Sequence, residues 1–203
     1  MARYKELTEG SVEKDPFLQF EKWYIERLNS GLVNPDAFTL ATSSRHGDVS
    51  ARTVLLKDYD REGFVFFTNF LSKKGIQLTG NNRAAMLFYW PETGRQVRIE
   101  GRVQRVSSAE SEKYFASRPR QSRISSWASE QSSPIAGKEQ LLARYEEFSR
   151  KFKGQNVPLP PHWGGFRLVP LWFEFWQEGP HRLHDRISFN PSPDGWKITR
   201  LAP

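Results

Sequence analysis

Among its 203 residues the chain has no cysteine and only four histidines. The first absence excludes disulfide frameworks, thiolate metal centres and cysteine nucleophiles together, and it fits a reducing cytoplasm. The second leaves little with which to build a transition-metal site. No apolar run approaches the ~20 residues that cross a bilayer. The first residues, Met1-Ala2-Arg3-Tyr4-Lys5-Glu6, lead into polar sequence rather than the apolar core of a signal peptide. G-x-G-x-x-G, the Walker loop, H-E-x-x-H and G-x-S-x-G are all missing, which removes the commonest nucleotide-binding, zinc-protease and serine-hydrolase readings. With 14 Gly and 13 Pro dispersed along the chain, no segment is low in complexity.

What the chain has in quantity is rings and positive charge. Aromatic residues make up 14%, including 7 Trp and 15 Phe, against a hydrophobic total of 37%, so the core must lean on large side chains. A length near 200 fits one compact domain or two small ones. The 30 Lys and Arg exceed the 23 Asp and Glu, for a net charge of +7. Such a balance suits a solubilising surface, a nucleic-acid partner or a pocket for small phosphorylated ligands, and the placement of the cations decides among them.

Residues 1–14 are polar and read as a mobile lead to one domain over 15–203. Asp15-Pro16 opens a helix as N-cap and first helical residue, Phe17, Phe20, Tyr24 and Leu28 follow at helical spacing, and Gly31 ends it. From residue 37 the period becomes two. Strands are expected over 37–42, 49–56, 64–68, 84–90 and 95–106, with turns at 46–48, 58–63 and 91–94 and a short helix at 72–78. Ser107-Ser108-Ala109-Glu110 has capping-box spacing for a helix that ends before Pro119. A second amphipathic helix spans 138–152, with Leu141, Leu142, Tyr145, Phe148 and Phe152 on one side. Between the two, 121–137 is rich in Ser and poor in pattern. Strand character returns at 165–169, 171–177, 182–189 and 196–201. The expectation is a mainly β domain, an antiparallel barrel or sandwich with packed helices.

Four short clusters carry the cations. In Arg182-Leu183-His184-Asp185-Arg186, a strand would place Arg182, His184 and Arg186 on one face, where two guanidiniums and an imidazole call for an anion; a solvated edge strand is the plainer alternative. The same strand reading sends His181 and His184 to opposite faces, against a metal pair. Arg52 and Lys57 bracket the apolar run Thr53-Val54-Leu55-Leu56. Ser72-Lys73-Lys74 starts a helix, where Lys is disfavoured by the dipole unless an anion such as phosphate sits there. Tyr114 and Arg118 share a helix face, with Ser122 just beyond Pro119, and all three suit phosphate. Gln96, Gln131 and Ser132 offer neutral hydrogen bonds of the kind that read a heterocycle's edge. Scattered clusters of this kind differ from the long basic face of a duplex-binding protein.

Taken in order, these segments resemble the pyridoxine (pyridoxamine) 5′-phosphate oxidases. The resemblance is carried by 52–57, Phe66-Phe67-Thr68-Asn69, Ser72-Lys73-Lys74, Arg95-Gln96-Val97, 114–120, Gln131-Ser132-Ser133, Trp163-Gly164-Gly165, Glu174-Phe175-Trp176-Gln177, 182–186 and Arg200-Leu201-Ala202-Pro203. It runs through nearly the whole chain, and 182–186 is its most specific part. It implies an FMN-binding split β-barrel of antiparallel Greek-key type and a homodimer with FMN at the subunit interface. Carried over by position, Arg52, Lys57, Lys73 and Lys74 would surround the FMN phosphate and ribityl chain, and Thr53, Val54, Leu55 and Leu56 would line the flavin. Phe67, Thr68, Gln96, Gln131, Ser132, Trp176 and Arg186 would complete the cofactor site. The substrate phosphate would fall to Lys57, Tyr114, Arg118 and Ser122. Arg182, Leu183 and His184 would lie over the pyridine ring, Arg182 and His184 in catalytic roles, and Tyr4 would cover the substrate. At position 73 Lys stands where members often carry Arg, a point charge in place of a bidentate contact. The implied reaction oxidises pyridoxine or pyridoxamine 5′-phosphate with O2. The alternatives are a phenazine-type flavin oxidase on the same fold, or a flavin- or haem-binding module without turnover.

Overall fold

The computed structural model describes residues 6–29, 31 and 33–203; Tyr4 lies outside them. Helix α1 (Pro16–Leu28) starts where expected, because the Asp15 carboxylate accepts the Phe17 N–H at 2.8 Å and Pro16 fills the first helical position. Its inward face buries Phe20, Trp23 and Tyr24, while Leu28 at its end stays exposed.

The strands β1 (Ala37–Ser43), β2 (Val49–Leu55), β3 (Asp58–Asp60), β4 (Gly63–Asn69), β5 (Arg83–Trp90), β6 (Arg95–Arg105) and β7 (Trp163–Gln177) form one antiparallel sheet in the order β2-β1-β5-β6-β7-β4-β3. β8 (Asp185–Ser192) adds to β7, and β9 (Gly195–Arg200) to β8. The sheet curls into a half-barrel. Alternate residues of neighbouring strands share a face, so Phe38, Leu40, Phe64, Phe66, Phe88, Val97, Ile99, Phe173, Phe175, Ile187 and Phe189 all enter one core. α1 closes it, with Phe20 set edge-on against Tyr59, Phe64 and Phe88. The helices α2 (Lys73–Gly80), α3 (Ser108–Ser117), α4 (Arg120–Ala128) and α5 (Lys138–Lys151) pack outside. Among the described residues no helix is long and apolar enough to cross a membrane.

The structure corrects the sequence reading in several places. β7 is one strand of 15 residues rather than two. Pro170, which donates no ladder hydrogen bond, is accommodated at a register shift opposite Gly101, where a β-carbon would stand 2.2 Å from the Val169 carbonyl oxygen. The expected patternless stretch 121–137 begins as α4, started by Pro119. In α5, Leu142 is exposed rather than part of the packed side. The strand expected from 182 begins at Asp185; before it, His181 and Arg182 take φ of 54° and 64° in a tight turn. The strand face proposed for Arg182, His184 and Arg186 therefore does not exist. Residues 6–14, read from the sequence as a mobile lead, make defined contacts with the domain. Leu7 and Val12 are buried in the core, and the Leu7 N–H donates to Asp185 while its carbonyl accepts from Arg200, both at 2.9 Å.

Candidate cofactor and substrate site

A cavity of about 610 Å³ opens between β2, the end of β4, the start of α2 and the α3–α4 pair, within the range of small-molecule sites. β2 is an edge strand, so the side of Thr53, Val54 and Leu55 turned from β1 offers unpaired backbone donors and acceptors.

At the corner between β4 and α2 two cations meet with no carboxylate partner among the described residues. Lys74 Nζ donates to Thr68 Oγ1 and Gln131 Oε1, each at 3.2 Å. The Arg52 guanidinium donates to the Leu40 carbonyl at 2.9 Å, to Thr42 Oγ1 at 2.6 Å and to Ser50 Oγ. Both hydroxyls in turn donate to Gln77 Oε1, at 2.6 and 2.7 Å. Burial lowers the pKa of Lys74, and the Arg52 charge lowers it further; burial also lowers that of Arg52. Ser72 caps α2 by accepting the Gly75 N–H, and the first turn carries no acidic side chain. Two partly desolvated cations held only by neutral dipoles beside a helix N-terminus form a receptor for a dianion.

A second cation with no carboxylate partner among the described residues sits at the α3–α4 junction. Arg118 donates to Ser126 Oγ at 2.8 Å and lies over the Trp163 ring at 4.7 Å; burial lowers its pKa. Phe67 stacks on Tyr114 at 4.0 Å and on Trp163 at 5.4 Å, making a flat aromatic wall beside this guanidinium. Ser122, Ser125, Ser126 and Ser129 complete the lining from one face of α4 and its end. Lys57 also lines the cavity, but its ammonium is paired with Asp36 at 2.7 Å.

The cavity thus gathers Thr53, Val54, Leu55, Lys57, Phe67, Thr68, Lys74, Tyr114, Arg118, Ser122 and Gln131 of the expected set. Arg52 backs it through Lys74. Leu56 is instead buried in the core, Lys73 is exposed on α2, and Ser132, at φ 75°, lines a smaller neighbouring pocket. Trp163, Asn69, Ser125, Ser126 and Ser129 line the cavity without having been assigned a role. The serines carried a signal: 122, 125, 126 and 129 follow the i, i+3, i+4, i+7 spacing of one helix face.

The remaining expected residues lie elsewhere. Gln96, Trp176 and Arg186 stand in register across β6, β7 and β8, on the sheet face opposite the core. Trp163 and Trp176 occupy opposite parts of β7, separated by roughly 40 Å of strand path. His184 packs against Trp176 with centroids 4.7 Å apart. Its Nδ1 accepts the Gly179 N–H at 3.2 Å, so the neutral ring carries its proton on Nε2. Arg182 and Leu183 are exposed. None of these six residues lines the cavity of its own chain.

Residues 25–151 match the family model described as pyridoxamine 5′-phosphate oxidase, and residues 163–203 match the pyridoxine 5′-phosphate oxidase C-terminal dimerisation region. The chain is 52% identical over 198 residues to the pyridoxine/pyridoxamine 5′-phosphate oxidase of Cupriavidus metallidurans, covering 97% of this chain and 93% of that one. It is 53% identical over 200 residues to the protein of the same name from Burkholderia mallei, again covering 97% and 93%. Among solved structures, PhzG from Burkholderia lata in complex with tetrahydrophenazine-1-carboxylic acid superposes with a TM-score of 0.91 at 30% identity over all of both chains. A pyridoxamine 5′-phosphate oxidase-related, FMN-binding protein of Nostoc punctiforme shares the fold, with a TM-score of 0.74 at 17% identity over 95% of this chain and 99% of that one.

Proposed function

The chain belongs to the pyridoxamine 5′-phosphate oxidase family, and from that premise we propose that it is an FMN-dependent oxidase making pyridoxal 5′-phosphate from pyridoxine 5′-phosphate or pyridoxamine 5′-phosphate. The observation that carries the reading is the pair of carboxylate-free cation sites on one cavity, Arg52 with Lys74 and Arg118 with Tyr114. Two sites of this kind suit two phosphates, one on the cofactor and one on the substrate.

FMN fits the first of them. Lys74, backed by Arg52 and the α2 N-terminus, would hold its phosphate, while Thr68, Gln131 and the free edge of β2 would meet its polar groups. Bound there, FMN would supply the redox chemistry, a two-electron oxidation of the substrate at C4′ with O2 as the final acceptor, giving H2O2 and, from the amine with water, ammonia. Arg118, Tyr114 and Ser122 would anchor the substrate phosphate, and the Phe67–Tyr114–Trp163 wall would orient the rings and exclude water. His184 in its Nε2–H form would donate to the reacting group, and Arg182 would stabilise negative charge on the ring.

Because residues 163–203 match a dimerisation region and none of Gln96, Trp176, Arg182, His184 and Arg186 reaches its own cavity, these residues would complete the cavity of a second copy in a homodimer. The likeness to PhzG favours a phenazine-type oxidase as the second reading. Against it, that ligand carries a carboxylate, whereas Tyr114, Arg118 and Ser122 here form a group suited to phosphate. A chain without cysteine suits work in a reducing cytoplasm. The test is to record the visible spectrum of the purified protein, add pyridoxine 5′-phosphate without O2, then admit air. A yellow protein that bleaches and then releases H2O2 is expected; a flavin-loaded protein that stays oxidised overturns the substrate.

A further inference from the structure

Glu174 lies on the outer face of β7 and is only 1% exposed, although a carboxylate is costly to bury unless paired. Its two oxygens are divided between two arginines. Oε2 accepts Nη1 of Arg98, its cross-strand neighbour on β6, at 2.9 Å. Oε1 accepts Nε of Arg186 on β8 at 2.6 Å. Arg186 is held at a second point, since its Nη1 donates to the Ala202 carbonyl at 2.8 Å, and its own carbonyl accepts the Leu201 N–H at 2.8 Å. Nη2 has no partner among the described residues. Arg98 is braced in turn by Glu100 at 2.9 Å and lies over the Trp172 ring. The three strands thus carry a buried brace that fixes one guanidinium and leaves one of its edges open, in the same row as Gln96 and Trp176.

We propose that Glu174 is a positioning residue of the flavin site, holding the Arg186 guanidinium in the single orientation in which its open edge, with Gln96 and Trp176, meets the flavin. This rests on the FMN reading above. An unbraced arginine would have to be ordered when flavin binds, and that entropy would be lost from affinity. Glu174 touches neither flavin nor substrate and acts only through Arg186.

The test is titration of the apoprotein with FMN, followed by quenching of flavin fluorescence, with the melting temperature of each apoprotein recorded alongside. Glu174→Gln is expected to raise the FMN Kd about tenfold, the loss of one charge-assisted hydrogen bond brought out of line. Arg186→Gln should do at least as much. In the double variant Glu174→Gln should add nothing, because its effect passes through Arg186. If Glu174→Gln does not fold, the pair Arg98→Leu with Glu174→Leu, which removes the carboxylate together with one cation, carries the same expectation. A lowered melting temperature with the FMN Kd unchanged would make Glu174 structural only and overturn the proposal, as would additive effects in the double variant. Failure of the wild-type apoprotein to quench FMN would instead overturn the cofactor reading.

Discussion

On the proposed function Lys74 would hold the FMN phosphate and Arg118 that of the substrate, and each makes a distinct prediction. Arg118→Ala should raise KM for pyridoxine 5′-phosphate tenfold to a hundredfold, the equivalent of a charge-assisted hydrogen bond of ~1.5–3 kcal/mol, while the protein stays yellow. Loss of FMN with KM unchanged would reverse the assignment. Lys74 should show itself through pH. Its pKa is lowered below the ordinary 10.5 by burial and by Arg52, and a bound dianion favours the protonated form. FMN affinity should therefore fall as pH rises through the depressed pKa, starting below 10.5, whereas riboflavin, which lacks the phosphate, should bind with no such fall. In the apoprotein the sign is opposite: the unfolded chain holds the Lys74 proton to higher pH, so stability should rise across that window. Parallel FMN and riboflavin titrations between pH 8 and the ordinary lysine range check the first point; identical profiles would contradict it. Lys74 was legible because a cation at a helix start breaks a local rule that a bound anion repairs, and Arg118 because its spacing from Tyr114 and Ser122 groups residue types suited to phosphate. The Asp36 partner of Lys57 was not, since the pair is made by folding.

At the scale of elements, the strands and α1 follow from periodicity and capping, and the exceptions have physical causes. Pro170 reads as a strand break until the Gly101 register shift opposite it is seen. α4 escapes because serines fill the face it turns to the cavity and only Ile124 and Ala128 are buried, so no long apolar stripe marks it. The turn at 180–182 escapes because two consecutive positive-φ residues other than glycine carry no sequence signature; such strain is retained where it aims a side chain. α2 supplies the element-scale prediction. A β-carbon on Gly75 would stand 2.3 Å from the Phe70 carbonyl oxygen and 2.7 Å from that of Asn69, so Gly75→Ala must lift the helix from the backbone that seats it. The cost should be about 1–3 kcal/mol, with weaker FMN binding because Lys74 rides on the same helix. Thermal melts with and without FMN check this, and an unchanged pair of melts would contradict it.

For the whole molecule, the charge excess and the aromatic load both find a place. The rings fill a half-barrel core closed by α1, and two groups of cations stand out, Arg52, Lys74 and Arg118 at the cavity and Arg98 and Arg186 on the outer face of β6 and β8. Within one chain those two groups stand apart, at opposite parts of β7; in the proposed function a two-fold dimer would bring each to the other's partner. The most direct test is complementation between two variants that are inactive at low substrate concentration, Arg118→Glu on the cavity side and Arg182→Glu on the turn before β8. Mixed and allowed to exchange subunits, they form heterodimers in which one site pairs an intact cavity with an intact turn. Recovery of about a quarter of wild-type H2O2 production is expected, because half of the dimers carry one good site of two. No recovery, with heterodimers demonstrably formed, would mean that each chain builds its own site and would contradict the shared one.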